Sequence, residues 1–225
     1  YESKQNFGFN ALIGPVVKLW HIGFKGAHVP TDEQIKEKMG LTNPGDVRLD
    51  DDNQTVFLTK KGMELDLGGI AKGYIADRIR DLWRAYDVRA GIINLGGNVL
   101  FVNSSPKRAS GEWILGVQDP KKKRGNNLTT ATVHECSAVT SGTYERFLEI
   151  NGKKYHHIID PKTGYPVKTH VAGVTLFTRD SVQAEIECKR LFFAGGPIPG
   201  WKNDKAGRYG AIFVYDDDSM ERIGV

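Results

Sequence analysis

The sequence predicts an α+β protein built around a substantial sheet, and three observations lead there. Short stretches rich in Val, Ile, Thr and Phe recur between turn signals from Val47 to Tyr215, at strand length. Two longer stretches, 70–86 and 181–194, carry apolar residues at helical spacing. A composition of 40% hydrophobic and 26% charged residues, with 26 glycines in 225, is that of a soluble α/β or α+β chain with many turns. That length buries a sizeable core, and a single domain spanning 1–225 accommodates it.

The elements follow in order. Gly8 to Trp20 is apolar, and Pro15-Val16-Val17-Lys18-Leu19-Trp20 begins a short helix with proline in its first turn. Thr31-Asp32-Glu33-Gln34 opens a second helix to about Met39, because a threonine cap and acidic neighbours satisfy its first amides; Gly40 ends it. Val47 to Asp50 and Thr55 to Leu58 flank the polar Asp51-Asp52-Asn53-Gln54 and read as a hairpin. Glu64 to Leu67 reads as a short strand, Gly68-Gly69 as a bend, and Ile70 to Tyr86 as an amphipathic helix with Ile75, Ile79, Leu82 and Tyr86 on one side. Gly91 to Val102 reads as two strand pieces around Gly96-Gly97. Trp113 to Val117, Ala131 to Thr140 and Phe147 to Ile150 add strands, and Asn151-Gly152 is a hairpin turn ahead of Lys153 to His156. Beyond the turn-rich 160–168, Ala172 to Phe177 is a strand, Ser181 to Ala194 a helix capped by Asp180 or Ser181, and Ala211 to Tyr215 the closing strand.

The formal charge of +4 is mild, and much of it sits in Lys121-Lys122-Lys123-Arg124 between turn formers. That run reads as a solvated loop rather than a nucleic-acid or membrane patch, although it could attract an anion. Cys136 and Cys188 stand far apart and have no metal-ligand spacing. No apolar run approaches the roughly 18 residues of a membrane span, and no signal peptide is visible. Tyr1 to Asn10 run directly into a motif, so the chain reads as N-terminally truncated, with a signal or anchor expected upstream.

Three segments suit chemistry. In Asp66-Leu67-Gly68-Gly69-Ile70-Ala71-Lys72-Gly73-Tyr74, two glycines let a ligand approach backbone amides at a helix start, where the dipole favours an anion such as a diphosphate. Lys72 adds a point charge, and Asp66 could bind a ribose, an adenine edge or a metal. The bland alternative is a tight turn with a surface lysine. In Tyr155-His156-His157-Ile158-Ile159-Asp160-Pro161-Lys162-Thr163-Gly164, a strand through Tyr155 to Ile159 turns adjacent histidines to opposite faces, so one of them is spare. A neutral histidine can take a proton from a Ser or Thr hydroxyl, with Asp160 orienting it or merely holding the turn. An exposed strand-end histidine beside an Asp-Pro turn is equally ordinary. In Thr140-Ser141-Gly142-Thr143, hydroxyls could touch a phosphate or flavin edge, but Ser141 has no adjacent base and Ser141-Gly142 also reads as a turn.

Taken in order, these segments resemble the ApbE family of FAD-dependent FMN transferases, once known as thiamine-biosynthesis lipoproteins. Gly8-Phe9-Asn10-Ala11-Leu12-Ile13-Gly14-Pro15-Val16-Val17 is similar to the family pattern A-F-D-x-x-V-G-P-L-V. Asp66 to Tyr74 matches D-L-G-G-I-A-K-G-Y in full, Leu95-Gly96-Gly97-Asn98 matches L-G-G-N, and His157 to Gly164 matches H-I-I-D-P-x-T-G.

The resemblance implies a T-fold-like α+β architecture, a mixed sheet with packed helices in two lobes and FAD with Mg²⁺ between them. It implies that Gly8, Phe9 and Asn10 touch the flavin nucleotide, that Asp66 and Lys72 bind FAD near the adenosine and diphosphate, and that His157 is the base. The activity implied is transfer of FMN from FAD to a Thr or Ser of an acceptor protein bearing a Thr-containing flavinylation motif. FAD pyrophosphatase activity and an inactive FAD-binding module are the alternatives. The implied location is extracytoplasmic, with a lipoprotein anchor on the full-length protein. Three departures stand out, the first being the shortened N-terminal portion, from which the family takes some adenine-side contacts. Asn10 replaces an Asp, and the metal-ligating helix A-D-A-x-x-T aligns with Ala184-Glu185-Ile186-Glu187-Cys188-Lys189. Either Glu185 and the Gly69 carbonyl still hold Mg²⁺, or Lys189 supplies part of that positive charge, or Glu185 and Lys189 are an ordinary i,i+4 ion pair.

Overall fold

The computed structural model describes every residue except Asn6 and Arg124, so the last position of the basic run lies outside the described residues. In chain order the elements are α1 (Glu2–Gln5), α2 (Gly14–Trp20), α3 (Asp32–Met39), a 3-10 turn (Pro44–Asp46), β1 (Val47–Asp50), β2 (Thr55–Leu58), α4 (Ala71–Ala85), β3 (Gly91–Asn94), β4 (Asn98–Val102), β5 (Trp113–Gln118), β6 (Asn127–Val133), β7 (Ser137–Gly142), β8 (Phe147–Ile150), β9 (Lys153–His156), β10 (Val171–Thr178), α5 (Ser181–Ala194), β11 (Arg208–Tyr215) and β12 (Met220–Ile223). The chain forms two compact units: Tyr1–Gly69 with Glu145–Lys168, and Ile70–Tyr144 with Thr169–Val225.

The first unit is built on α2, α3 and two hairpins. Pro15 sits in the first turn of α2, and Thr31 caps α3 with a reciprocal capping box to Gln34. Val16, Trp20, Ile22, Ile35 and Ile159 form its core, with Tyr155 and Tyr165 packed alongside. The β8–β9 hairpin turns at Asn151 and Gly152, both left-handed with φ of 51° and 75°. That is the backbone a two-residue turn requires if it is to match strand twist.

The second unit is a six-stranded sheet in the order β12-β11-β10-β7-β4-β3. Leu100 and Val102 of β4 point to α4, where they join Ala76 and Ile93. Phe101, between them, points the other way and packs with Trp113, Val117, Ala131 and Val133 of the separate β5–β6 ribbon. This alternation is what a strand covered on both faces demands. β10, the strand beside β7 and β11, is buried along its whole length.

The α+β class holds, and four details differ from the sequence reading. All described strand pairings in the sheet are antiparallel rather than mixed. The cause lies after α5, where the chain runs back until the Gly207 carbonyl accepts from the Arg179 N–H at 2.8 Å, so β11 starts beside the end of β10. The strand expected over Ala131 to Thr140 is two: Val133 pairs with Trp113 in the ribbon, while Ser137 pairs with Thr178 and Leu100 in the sheet. Glu64 to Leu67 forms no strand, although the Asp66 N–H donates to the Ala11 carbonyl at 2.8 Å. A further strand, β12, follows the expected closing strand.

Helix α4 also buries a different face from the one its hydrophobic pattern suggests. Of the expected face, Ile79 is partly buried against the core, but Ile75, Leu82 and Tyr86 are exposed, whereas Gly73, Ala76, Asp77 and Arg80 are buried. A Cβ on Gly73 would stand 2.5 Å from the Ser181 carbonyl oxygen, so α5 approaches here more closely than any side chain permits. Small and polar residues therefore occupy the tightest part of the helix pair.

Candidate functional site

In the first unit, the histidine segment continues the β8–β9 hairpin by one residue. Phe147 pairs with His156, and the next N–H, that of His157, donates to the Arg146 carbonyl at 3.1 Å. The two imidazoles then differ in chemistry. His156 places Nε2 2.9 Å from the Val167 carbonyl, and its Nδ1 accepts from the Ile158 N–H at 3.3 Å. Both of its ring nitrogens therefore serve the backbone. His157 places Nδ1 3.2 Å from the Arg146 carbonyl oxygen. A carbonyl only accepts, so in the neutral ring Nδ1 carries the hydrogen and the lone pair is on Nε2.

The turn behind His157 is tightly determined. Asp160 Oδ1 accepts from the Lys162 N–H at 2.8 Å, and its carbonyl accepts from the Gly164 N–H at 2.8 Å. Of its two expected roles, Asp160 thus performs the structural one. Gly164 has a φ of 76°, and a Cβ there would come within 2.6 Å of Ile35. Its carbonyl accepts from the buried Trp20 Nε1–H at 2.8 Å, and Trp20 packs against both Tyr155 and Tyr165. Tyr165 donates to the Asp32 carboxylate, which holds its phenol above the usual range.

The same unit carries Gly8, Phe9, Asn10, Asp66 and, as its last residue before α4, Gly69. Gly8 takes a φ of 100°, a conformation that favours glycine. Phe9 and Asn10 are buried. Asn10 donates from Nδ2 to the Thr42 carbonyl at 2.8 Å and accepts at Oδ1 from the Leu12 N–H at 2.9 Å. Its side chain is therefore a brace for the loop, which suits an amide better than the family carboxylate. Asp66 Oδ1 accepts from the Gly68 N–H at 2.8 Å and shapes the glycine bend.

In the second unit, Lys72 and Glu185 come together. Lys72 Nζ is 3.9 Å from Glu185 Oε1, the lysine side chain 44% exposed and the carboxylate 5%. Asn98 Nδ2 donates to the same Oε1 at 2.9 Å, and Asn98 Oδ1 accepts from the Ser181 hydroxyl at 2.9 Å. Lys189 Nζ donates to the Glu185 carbonyl at 3.1 Å and stands 3.6 Å from Oε2. The i,i+4 ion pair expected of α5 is thus present. Nearby, Asp77 accepts from the Ser181 and Val182 N–H groups at 2.9 Å each and pairs with Arg80 at 3.3 Å, capping α5 from α4. The roles of Asn98, Asp77 and Ser181 were not visible in the sequence. The nearest signal was Gly73 and Asp77 four residues apart on one helical face.

These surroundings do not fit Mg²⁺ at Glu185. A divalent cation wants several oxygen ligands, and both carboxylate oxygens already face donors. Two ammoniums, 3.9 Å and 3.6 Å from the Glu185 carboxylate oxygens, would repel a divalent cation bound there. Among the described residues, no group of three or more His, Cys, Asp or Glu is arranged to hold a metal ion. Ser141 and Gly142, read as a turn, are strand residues of β7.

A two-hairpin unit bearing a polarised histidine, and an antiparallel sheet unit bearing a lysine-carboxylate cluster, define a protein class that comparison with known proteins identifies. The ApbE family model matches residues 1–212, and the chain belongs to that family. It is 46% identical over 187 residues to an FAD:protein FMN transferase of Klebsiella pneumoniae (strain 342), covering 83% of this chain and 57% of the relative. It is 38% identical over 206 residues to an FAD:protein FMN transferase of Treponema pallidum (strain Nichols), covering 87% and 57%. Among solved structures, the ApbE protein of Thermotoga maritima MSB8 superposes with a TM-score of 0.81 at 29% identity, over 98% of this chain and 74% of that one. The chain thus spans little more than half the length of these curated relatives.

Proposed function

We propose that the protein transfers FMN from FAD to the hydroxyl of a Thr or Ser in an acceptor protein, releasing AMP. The observation that carries this reading is the state of His157. Its Nδ1–H faces the Arg146 carbonyl, which leaves the basic lone pair on Nε2. The names of the Klebsiella and Treponema relatives support the reaction class.

In this reading His157 Nε2 takes the acceptor's hydroxyl proton, and the oxygen attacks the FMN phosphorus. The new P–O bond forms as the bond from that phosphorus to the bridging diphosphate oxygen breaks. AMP departs with the bridging oxygen and its electron pair, and the proton finally resides on AMP or water. Gly8 and Phe9 receive the flavin nucleotide on a loop braced by Asn10. Asp66 serves the adenosine side, and Lys72 offsets charge on the diphosphate. The resemblance supports each of these assignments residue by residue. The ammoniums of Lys72 and Lys189 beside Glu185 disfavour Mg²⁺ there.

The test is to incubate the protein with FAD and an acceptor domain carrying a Thr-containing flavinylation motif. A mass gain of one FMN on the acceptor, with AMP in equal amount, is expected. Free FMN and AMP with an unlabelled acceptor would instead identify a pyrophosphatase, in which water replaces the hydroxyl. Bound but intact FAD would identify a binding module. The extracytoplasmic, lipid-anchored location implied by the resemblance belongs to the same reading, and fractionation of cells producing the full-length protein tests it.

A further inference from the structure

Resting on that reading, we propose that Lys72 and Lys189, gathered on Glu185, form an anion site that receives the nucleotide diphosphate directly, in place of a divalent cation. The resemblance leads to an expectation of Mg²⁺ at this helix, and the side chains present are built for the opposite charge.

Glu185 cannot easily turn to meet a cation. It is buried, one oxygen accepts from Asn98, and Asn98 is itself fixed by the Ser181 hydroxyl. Lys189 lies one helical turn further along α5. Its ammonium is held by the Glu185 carbonyl at 3.1 Å and lies 3.6 Å from Oε2, with 16% of its side chain exposed. Lys72 approaches the other oxygen from the first turn of α4, a position where the helix dipole adds to its charge. One carboxylate thus collects two ammoniums, each with three N–H donors, so the cluster favours an incoming anion. The turn between β3 and β4 passes Lys72 at Gly97, which adds no side chain over the ammonium. A Cβ there would lie 3.9 Å from Nζ and 3.1 Å from the Thr140 carbonyl. In this arrangement Glu185 is a positioning residue that holds both lysines, and Lys189 is a binding residue for the diphosphate oxygens.

The test measures FAD affinity of the full chain by quenching of flavin fluorescence, in EDTA and in millimolar Mg²⁺, with Mn²⁺ binding followed by electron paramagnetic resonance. The parent is expected to bind FAD equally in both buffers and to leave the free-ion Mn²⁺ spectrum unchanged. Lys189→Thr is expected to weaken FAD in EDTA by about tenfold, and Lys189→Arg, which keeps the charge, to bind close to the parent. Should Lys189→Thr melt early, Lys189→Gln replaces it, since it preserves most of the stem. Loss of FAD binding in EDTA, or a bound-Mn²⁺ signal that disappears in Glu185→Gln, overturns the proposal. So do undiminished affinity in the neutral variants and a parent that binds no FAD in either buffer. None of these readouts needs an acceptor. FMN transfer can therefore fail while the anion site stands, and a bound-Mn²⁺ signal removes the anion site while leaving transfer intact.

Discussion

His157 and Glu185 are held in place by opposite means. His157 is fixed by main chain: a hairpin, an Asx turn and a carbonyl that sets its tautomer, all within about 20 residues of sequence. Glu185 is fixed by side chains drawn from α4, β4 and α5, in a network of the buried Asn98 and Ser181 and two lysines, of which Lys72 is the more exposed. The first arrangement is set mainly by local main chain, with Trp20 and Asp32 bracing its turn from afar. The second exists only once three distant stretches have packed, so its integrity reports on tertiary structure.

The largest effect that tests this contrast is at the histidine pair. His157→Ala should lower the FMN transfer rate by about 10²- to 10⁴-fold with little change in melting temperature. His156→Ala should do the reverse, losing about 1–3 kcal/mol of stability with both backbone hydrogen bonds while transfer continues. Similar losses of transfer in both variants would remove the distinction between them.

Next is the capping carboxylate of the network. Asp77→Ala uncaps α5 and leaves the buried Arg80 with Asp180 and the Arg179 carbonyl as its partners, and should cost about 2 kcal/mol in urea unfolding. A loss under about 1 kcal/mol would mean that α5 does not depend on α4 for its cap. Gly73→Ala should cost about 1–3 kcal/mol, because its Cβ must push the helix pair apart. If amide exchange slows at Ser181 and Val182 in this variant, the close approach does not protect the cap.

The smallest effect is alkaline. Burial pushes Cys136 up to about 12 and Cys188 up to about 11, against an ordinary value of 9.0. The folded state thus keeps protons that the unfolded chain releases. This stabilisation is complete below pH 9 and is lost as the pH rises towards 11 or 12, by on the order of 1 kcal/mol per thiol at pH 10. The urea midpoint should fall between pH 8 and pH 10, and less so in Cys136→Ala, whose smaller side chain also removes the titrating group.

Much of the local structure was legible because it rests on short-range chemistry. The Thr31 capping box, the Asn151-Gly152 turn and the proline in α2 are each specified within a few residues. What escaped the sequence depends on packing. Of the pattern Ile75, Ile79, Leu82 and Tyr86 only Ile79 meets the core, because α4 buries small and polar residues where α5 comes too near for large side chains at Gly73. The break at His134 to Cys136 looked continuous because both halves are β-prone, and only pairing partners separate the ribbon from the sheet. At the candidate site, the family motif already singles out His157, and the different carbonyls that the two imidazoles face add a physical contrast that no residue pattern records. Asn98 lay inside a recognised motif, yet its partner is 87 residues away.

The stretch bearing His157 leaves and re-enters the sheet unit between adjacent strands. Gly142 at the end of β7 pairs with Gly173 near the start of β10, and the Thr143 N–H donates to the Ala172 carbonyl at 2.9 Å. Both ends of Glu145–Lys168 are therefore anchored side by side by a ladder that does not need the stretch itself. Such an excursion is a cassette. Replacing it by a tight turn is expected to leave the register of β7 against β10 unchanged while taking Tyr155, Ile159 and Tyr165 out of the core of the first unit, so the candidate histidine is carried by that unit and not by the sheet.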